Sequence, residues 1–243
     1  MLELRDISID VEDHKAILRN VDLTIEDGKF VVITGPNGGG KSTLAKVIAG
    51  IMTPSKGQIL LDGEDITALS VTERARRGIT FAFQQPVRFK GLTVRDLLVL
   101  AAGEGTGEPG LRALLRDVGL CPKDYLGREI NASLSGGEIK RIEIAMALAR
   151  KTRITLFDEP EAGIDLWSFG NLIEVFGRLR GRREGTVIII SHQERILDIA
   201  DELVVLAGGE LRAKGAKADI LPELLQGGEC SFCPEGTQKG GNC

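Results

Sequence analysis

A strand pattern that runs directly into a glycine-rich turn constrains this chain more than any other feature. Residues 30–34 read FVVIT, a continuous apolar run typical of a strand that is covered on both faces. The next residues, GPNGGGKST (35–43), fit the pattern G-x-x-x-x-G-K-[ST], and the apolar helical pattern STLAKVIAGI (42–51) follows. This order predicts a parallel α/β core that binds a phosphate group where the helix begins.

The glycine-rich turn has the composition of a phosphate cradle. Glycines allow successive backbone N–H groups to turn inward, and the helix N-terminus adds partial positive charge. We expect Lys41 to reach the β- and γ-phosphates and the Ser42 hydroxyl to bind Mg²⁺. A turn without a ligand is the alternative, and by itself the motif indicates only an NTPase. The predicted cradle consists of Gly35, Pro36, Asn37, Gly38, Gly39, Gly40, Lys41, Ser42 and Thr43.

Two carboxylates end a second buried strand pattern, ITLFDE (154–159). We expect Asp158 to hold Mg²⁺ through its coordination shell. Glu159, at the tip of the strand, could orient and deprotonate the attacking water. The alternative is an acidic pair on the surface that has no chemical role.

Two polar residues follow other strand patterns and complete the candidate site. His192 comes after TVIIIS (186–191), and Gln84 comes after TFAF (80–83). Because ligands of open α/β sheets bind at the carboxyl ends of the strands, both side chains could touch the γ-phosphate, and Gln84 could also sense the metal. A lone histidine at such a place often has no special role.

A second anion-binding pattern narrows the class. In ASLSGGEIKRIEIAMALAR (132–150), the residues Ser135, Gly136 and Gly137 stand immediately before an amphipathic helix. One chain therefore has two phosphate-binding loops. A simple explanation is that one loop serves the nucleotide of a partner subunit, so that two copies close head-to-tail around two ATP molecules.

Composition limits the other classes of function. The net charge of −4 argues against a general nucleic-acid binder. The local basic spots at Arg74, Arg76, Arg77, Lys140 and Arg141 are expected to be solvated helix faces. No apolar run approaches the roughly 20 residues of a membrane helix, and the first residues form a strand pattern and not a signal peptide. We expect a cytoplasmic protein without direct membrane insertion and with reduced thiols.

The order of these patterns predicts an α/β core with an N-terminal antiparallel β subdomain and an inserted helical subdomain. The first thirty residues alternate like antiparallel strands, and helical patterns dominate from residue 93 to residue 150. The expected division is a nucleotide-binding core at 1–85 and 151–225, a helical signature subdomain at 86–150 and a cysteine-rich tail at 226–243.

Five motifs in this order, GPNGGGKST, LSGGE, LFDEP, AGID and SHQ, resemble those of the ATP-binding cassette (ABC) ATPases over residues 1–222. The resemblance implies an ATPase with a P-loop NTPase fold that uses ATP and Mg²⁺. It also implies that Asp165 belongs to a loop linking two ATP sites. The implied residues of the chain's own ATP site are Lys41, Ser42, Gln84, Asp158, Glu159 and His192, and those facing the partner's ATP are Ser135 and Gly137.

One departure from the family concerns the base of the nucleotide. The family usually stacks adenine on an aromatic residue just upstream of the first long strand. The corresponding stretch here is DVEDHKAI (10–17), with Val11 near the expected place. His14 could substitute for the aromatic ring.

A narrower resemblance concerns the partner. DVEDHKAILRN (10–20), AFQQPVRFKG (82–91) and SHQERIL (191–197) are similar to the corresponding segments of the SufC-like ATPases of Suf-type iron–sulfur cluster assembly. It implies an ATPase subunit that dimerises on ATP to remodel a SufB/SufD-like scaffold protein, with the shortened helical insert of a two-component variant. The alternative is the ATP-binding subunit of an ABC membrane transporter.

The last segment, QGGECSFCPEGTQKGGNC (226–243), holds three of the four cysteines. Cys230 and Cys233 have C-x-x-C spacing, and Cys243 could join them as a ligand of a metal ion or an iron–sulfur cluster. Cys121, a partner residue or an exogenous thiol could supply a fourth ligand. The alternative is a reduced, disordered tail without metal, which its Gly, Pro and polar content favours.

Overall fold

The computed structural model describes residues 1–11, 15–84, 91–103, 105–131, 133–182 and 185–225. The strands are β1 (Leu2–Val11), β2 (Lys15–Ile25), β3 (Phe30–Thr34), β4 (Lys56–Leu61), β5 (Glu64–Asp65), β6 (Ile79–Ala82), β7 (Ile154–Asp158), β8 (Thr186–Ile190), β9 (Glu202–Ala207) and β10 (Glu210–Ala216). The helices are α1 (Lys41–Ala49), α2 (Val71–Arg76), α3 (Val94–Ala102), α4 (Glu108–Asp117), α5 (Pro122–Tyr125), α6 (Gly136–Ala149), α7 (Leu166–Arg182), α8 (Glu194–Asp198) and α9 (Lys217–Leu225).

The larger sheet carries the candidate site. Its strand order is β10-β9-β3-β8-β7-β6; β9, β3, β8, β7 and β6 are parallel, and β10 pairs antiparallel with β9 at one edge. Every residue of β3 and β7 is buried, as the continuous apolar patterns indicate. Parallel strands bring their carboxyl ends to one edge, so the segments after β3, β6, β7 and β8 meet there.

The smaller sheet is antiparallel, with the order β2-β1-β4-β5. Its inner face packs with α1 and the larger sheet in one apolar cluster that includes Leu4, Val21, Ile33 and Leu44. Burying each such side chain contributes about 1.5–3 kcal/mol. The phosphate loop therefore starts from a strand and enters a helix that are both fixed by packing. The predicted α/β class with an N-terminal antiparallel sheet and helical segments is confirmed.

The helices α3 to α6 share a second apolar cluster with α7 and the opposite face of the larger sheet. Leu97, Leu115 and Ile142 contribute from the helical segment, and Phe157 and Phe176 contribute from β7 and α7. The sequence 103–110 looks like one loop, but α4 already begins at Glu108, because Pro109 fits the first turn of a helix.

Two of the basic residues expected on solvated helix faces are buried. Arg74 is 1% exposed, and its guanidinium donates to the carbonyl oxygens of Val47 (2.6 Å), Ile48 (3.0 Å), Leu69 and Thr67. Lys140 is 3% exposed. The expectation was wrong for these two side chains because carbonyl acceptors from distant segments replace water around the charge.

No helix in the described parts of the chain is long and apolar enough to cross a membrane.

Candidate nucleotide site

The phosphate loop lies between β3 and α1, as its sequence predicts. Gly35 has φ +131°, and a Cβ there would lie 2.1 Å from the Leu206 carbonyl oxygen. Gly40, the N-cap of α1, has φ +95°. A side chain at either position would be strained, so the loop can run close to β9 at Gly35 and close to β2 at Gly40 only because these residues are glycine.

Lys41 lies folded over this loop. Its side chain is 5% exposed, and Nζ donates to the carbonyl oxygens of Gly35 (2.8 Å) and Pro36 (2.9 Å). Desolvation lowers the pKa of Lys41, and the negative charges of Glu159 and Asp158 oppose that shift. The ammonium group is thus held at the mouth of the turn, with carbonyl acceptors that a phosphate oxygen could replace.

Ser42 and Asp158 meet between the start of α1 and the end of β7. Ser42 Oγ donates to Asp158 Oδ1 at 2.8 Å, and Asp158 is 4% exposed. A hydroxyl and a carboxylate are the oxygen ligands that Mg²⁺ prefers in phosphate sites. The residue types at this contact therefore fit the metal that ATP requires.

Gln84 and Glu159 also come together. Gln84 Nε2 donates to Glu159 Oε2 at 2.5 Å, which joins the segments after β6 and β7. Glu159 has φ +43°, and its backbone N–H donates to the Ile190 carbonyl at 3.0 Å. A left-handed conformation at a residue other than glycine costs about 1–3 kcal/mol and is common at functional sites. The carboxylate of Glu159 is therefore fixed by both its backbone and its amide partner.

His192 follows β8 at the same edge of the sheet and is exposed. Its Nε2 lies 3.4 Å from Gln193 Nε2. The structure thus brings Lys41, Ser42, Asp158, Glu159, Gln84 and His192 to one edge, with His192 on the solvent side.

The second loop is the start of α6. Ser135 is its N-cap: the hydroxyl accepts from Glu138 N at 3.2 Å, and Glu138 Oε2 accepts from Ser135 N at 2.6 Å. This reciprocal pair is a capping box. No hydrogen bond between described residues joins this loop to the phosphate loop.

The Ser135 loop instead contacts the segment that leads into α7. A Cβ at Gly137 would lie 2.5 Å from the Ser168 side chain, and a Cβ at Gly136 would lie 3.1 Å from the Gly163 carbonyl oxygen. Asp165 Oδ1 accepts from Ser168 N (3.0 Å) and Trp167 N (3.1 Å). The hydrogen bonds from Ser168, and then from Trp167, lower the pKa of Asp165. Asp165 therefore stands beside the second loop.

Sequence reasoning missed Glu161, which lies behind Glu159. Its Oε1 accepts from Ser191 Oγ at 2.5 Å, and its Oε2 is buried without a hydrogen-bond partner among the described residues. Desolvation raises the pKa of Glu161, against the hydrogen bond from Ser191. A third acidic residue so soon after DE was a usable signal for an additional buried carboxyl near the site.

Lys140 was also missed, because a lysine in a helix pattern normally faces water. Its Nζ donates to the Phe83 carbonyl at 2.8 Å and pairs with Glu143 at 3.1 Å. Phe83 directly precedes Gln84. The helix that begins at the second loop is therefore tied to the segment that carries Gln84.

Several predictions lie outside the described residues: those on residues 85–90 of the segment 82–91, on His14, and on the cysteines Cys230, Cys233 and Cys243. Cys121 is a free, exposed thiol at the start of α5. The described ranges contain no group of three or more His, Cys, Asp or Glu residues that could hold a metal ion.

A parallel sheet that carries a phosphate loop, with a serine–aspartate contact at its carboxyl edge, defines a P-loop NTPase. The family model described as "ABC transporter" matches residues 18–162, more than half of the chain. The chain belongs to the ABC transporter ATP-binding family, and it is an ATPase that uses ATP with Mg²⁺.

The relatives carry transporter names. The chain is 37% identical over 228 residues to the uncharacterized ABC transporter ATP-binding protein MJ0035 of Methanocaldococcus jannaschii, with 90% of each chain covered. It is 33% identical over 240 residues to the probable ATP-dependent transporter ycf16 of Cyanophora paradoxa, covering 92% and 91%. It is 34% identical to the spermidine/putrescine import protein PotA of Mesoplasma florum, covering 92% of this chain and 63% of that one.

Solved cassettes share the fold. A dimeric, post-hydrolysis structure of the ATP-binding cassette MJ0796 with ADP and Pi has a TM-score of 0.77 at 26% identity, covering 89% of this chain and 99% of that one. Cassettes of this kind dimerise on ATP. The ABC part of the predicted resemblance is confirmed, whereas the matches do not single out a SufC-like protein.

Proposed function

We propose that this chain is the ATP-hydrolysing subunit of a larger assembly, in which two copies close head-to-tail around two ATP molecules and drive a separate partner. The observation that carries the proposal is the separation of two anion-binding loops within one chain. The phosphate loop lies with Asp158 and Glu159, whereas the Ser135 loop contacts the start of α7. A second copy would bring the missing loop to each nucleotide.

Each residue then has a role. The loop 35–43 and Lys41 hold the phosphates, and Ser42, Asp158 and Gln84 hold Mg²⁺, which neutralises phosphate charge when it is bound. Glu159 takes a proton from the water that attacks the γ-phosphorus, while the bond to the ADP oxygen breaks. His192 contacts the γ-phosphate. Ser135, Gly136 and Gly137 donate to the partner's γ-phosphate, and Asp165 connects the two sites.

Gln84 gives this scheme a resting state. Its side-chain amide donates a hydrogen bond to Glu159 Oε2 at 2.5 Å. This oxygen must release Gln84 and accept a hydrogen bond from water before hydrolysis can occur. Closure moves the segment around Gln84 through its link to α6 at Lys140 and Phe83. We place the core at 1–85 and 151–225 and the moving helical subdomain at 86–150.

The test is the variant Glu159→Gln. It should bind Mg·ATP normally, lose at least about 100-fold in turnover, and accumulate as a dimer on size exclusion. Glu161→Gln, two residues away, is the matched control for the change of an acid to an amide, and this variant should still hydrolyse ATP. Wild-type turnover in Glu159→Gln would contradict the role of this carboxylate.

The first candidate partner is a membrane transporter. The relatives' names favour it: they include a transporter ATP-binding protein of Methanocaldococcus jannaschii and a spermidine/putrescine import protein of Mesoplasma florum. A separate membrane subunit would dock on the helical subdomain and receive the closing motion. This chain would then work at the membrane surface through its partner.

The second candidate is a SufB/SufD-like scaffold for iron–sulfur clusters in the cytoplasm. Three segments that extend beyond the shared ATPase motifs favour it: 10–20, 82–91 and 191–197. Under this proposal Cys230, Cys233 and Cys243 hold iron or a nascent cluster, and the ATPase cycle remodels the scaffold.

One experiment separates the two candidates. The full chain is purified anaerobically from its own cells, the co-purifying chains are identified, and iron and sulfide are assayed. A polytopic membrane protein without iron supports the transporter. A scaffold lacking membrane helices, with iron and sulfide that fall when the three tail cysteines are changed to serine, supports cluster assembly.

A further inference from the structure

Two large apolar side chains protrude at the start of α7. Leu166 is 76% exposed and Trp167 is 87% exposed, the highest values among the large apolar residues of the described chain. They follow Asp165, whose carboxylate caps the helix through Ser168 N and Trp167 N. A fixed helix end therefore presents both side chains to solvent. Adjacent exposed aromatic and aliphatic side chains of this size mark an interaction site more often than a neutral surface.

The position of this pair indicates what covers it. Ser168, the next residue, contacts Gly137 of the second anion loop, and Gly163 before the pair contacts Gly136. The apolar pair is thus continuous with the face that carries the Ser135 loop. That face is the one that meets another copy of the chain under the proposed function, on which this inference rests.

We propose that Leu166 and Trp167 are an apolar anchor of the ATP-closed dimer, buried against a second copy of this chain. Two-fold symmetry brings the pair from both copies into the same interface. Burying a tryptophan removes about 150–250 Å² from water, so the pair supplies association energy that the polar loops around ATP do not. Because Asp165 fixes the helix end, the anchor moves together with the Ser135 loop, and its docking positions that loop on the partner's nucleotide.

The chain contains a single tryptophan, so tryptophan fluorescence, excited selectively over that of the one tyrosine, reports on this site alone. In the Glu159→Gln protein, Mg·ATP should shift the Trp167 emission to shorter wavelength and reduce its quenching by acrylamide at least about twofold, with the same protein-concentration dependence as dimer formation. Mg·ADP should leave both unchanged.

Trp167→Ser in the same background should weaken ATP-dependent dimerisation at least about tenfold, as expected for a tryptophan hot spot. ATP affinity of the monomer should stay unchanged, and Trp167→Phe should retain most of the dimerisation. The matched control is Leu100→Ser on α3. Leu100 is 70% exposed and lies near Arg153, at the opposite edge of the sheet, so this variant should dimerise normally.

The outcomes separate the two proposals. If Glu159→Gln forms no dimer with ATP, the proposed function fails and this inference fails with it. If it dimerises while Trp167 stays accessible to acrylamide, or if Trp167→Ser dimerises like its parent, the proposed function stands and the anchor is overturned. A fluorescence shift that needs another protein or a vesicle would assign the pair to a different partner and also overturn the proposal.

Discussion

The two anion-binding loops of this chain differ in what surrounds them. The phosphate loop has all its contacts within one copy of the chain. Lys41 folds back onto the turn, and Ser42 donates a hydrogen bond to the buried Asp158. The Ser135 loop forms a capping box with Glu138 and lies beside the exposed Leu166 and Trp167. One loop is preorganised for a ligand of its own chain, whereas the other faces outward. This difference supports the proposal that the catalytic unit is larger than one copy.

The largest effect should come from removing the charge at the preorganised loop. Lys41→Ala should reduce ATP affinity about 100-fold, because truncating one partner of a buried, hydrogen-bonded charge pair costs about 2–5 kcal/mol. Lys46→Ala, a lysine on the same helix, is the control and should bind ATP normally. Equilibrium binding of a fluorescent ATP analogue measures both, and unchanged binding by Lys41→Ala would contradict the assignment of the loop.

Arg74→Met should destabilise the helix that follows the phosphate loop, because Arg74 holds the end of α1. The guanidinium donates to four carbonyl oxygens, two of them at the last turn of that helix. The variant removes this donor from all four, and only the Val47 carbonyl keeps another hydrogen bond among the described residues, from Gly50 N. We expect a loss of about 2 kcal/mol in the free energy of unfolding, measured by urea denaturation. The exposed neighbour variant Arg76→Met should change it by less than about 0.5 kcal/mol. If Arg74→Met changed the free energy of unfolding as little as Arg76→Met, Arg74 would have no structural role.

Gly137→Ala should affect the Ser135 loop and leave the phosphate loop unchanged. The added Cβ would lie 2.5 Å from the Ser168 side chain, so the second loop must shift relative to α7. ATP affinity should stay normal, while steady-state hydrolysis should fall about tenfold, because about 1.4 kcal/mol of misplacement is tenfold in rate. Adding Ser168→Gly should restore part of the rate. Normal hydrolysis by Gly137→Ala alone would mean that the Ser135 loop does not take part in ATP hydrolysis.

The smallest effect concerns Glu161. Its folded-state pKa is raised, so its contribution to stability is present at low pH and lost as pH rises through that pKa. Glu161→Gln keeps a hydrogen-bonding group and removes the charge. The variant should therefore gain about 1 kcal/mol over the wild type at pH 8, and the gain should shrink toward pH 4. Thermal unfolding at a series of pH values measures this, and a gain that grew on acidification would contradict the direction of the shift.

The parts of the site that a local pattern encodes could be predicted from sequence. A phosphate loop needs glycines, a lysine and a flanking strand within a few residues, and a buried parallel strand is a continuous apolar run. The contacts of Ser42 with Asp158 and of Gln84 with Glu159 then follow from the alignment of strand ends at one edge.

The contacts that could not be predicted join segments distant in the chain. The sequence predicts that Arg74 and Lys140 lie on the surface. Both are buried because packing brings carbonyl acceptors from distant residues, Val47 and Phe83, next to their charged groups. The Glu161 contact with Ser191 depends on the pairing of β7 with β8. The roles of the site residues, the domain division and the tail cysteines remain predictions.

Under the proposed function, each active site takes residues from two copies. Glu159→Gln and Ser135→Arg should each inactivate every site of their own dimer, but a mixed dimer should have one intact site, formed by Glu159 of one copy and Ser135 of the other. Mixing the two purified, inactive variants in equal amounts should restore hydrolysis to roughly a quarter of the wild-type rate, since half of the dimers are mixed and each has one of two sites intact. A mixture as inactive as its parents would contradict the claim.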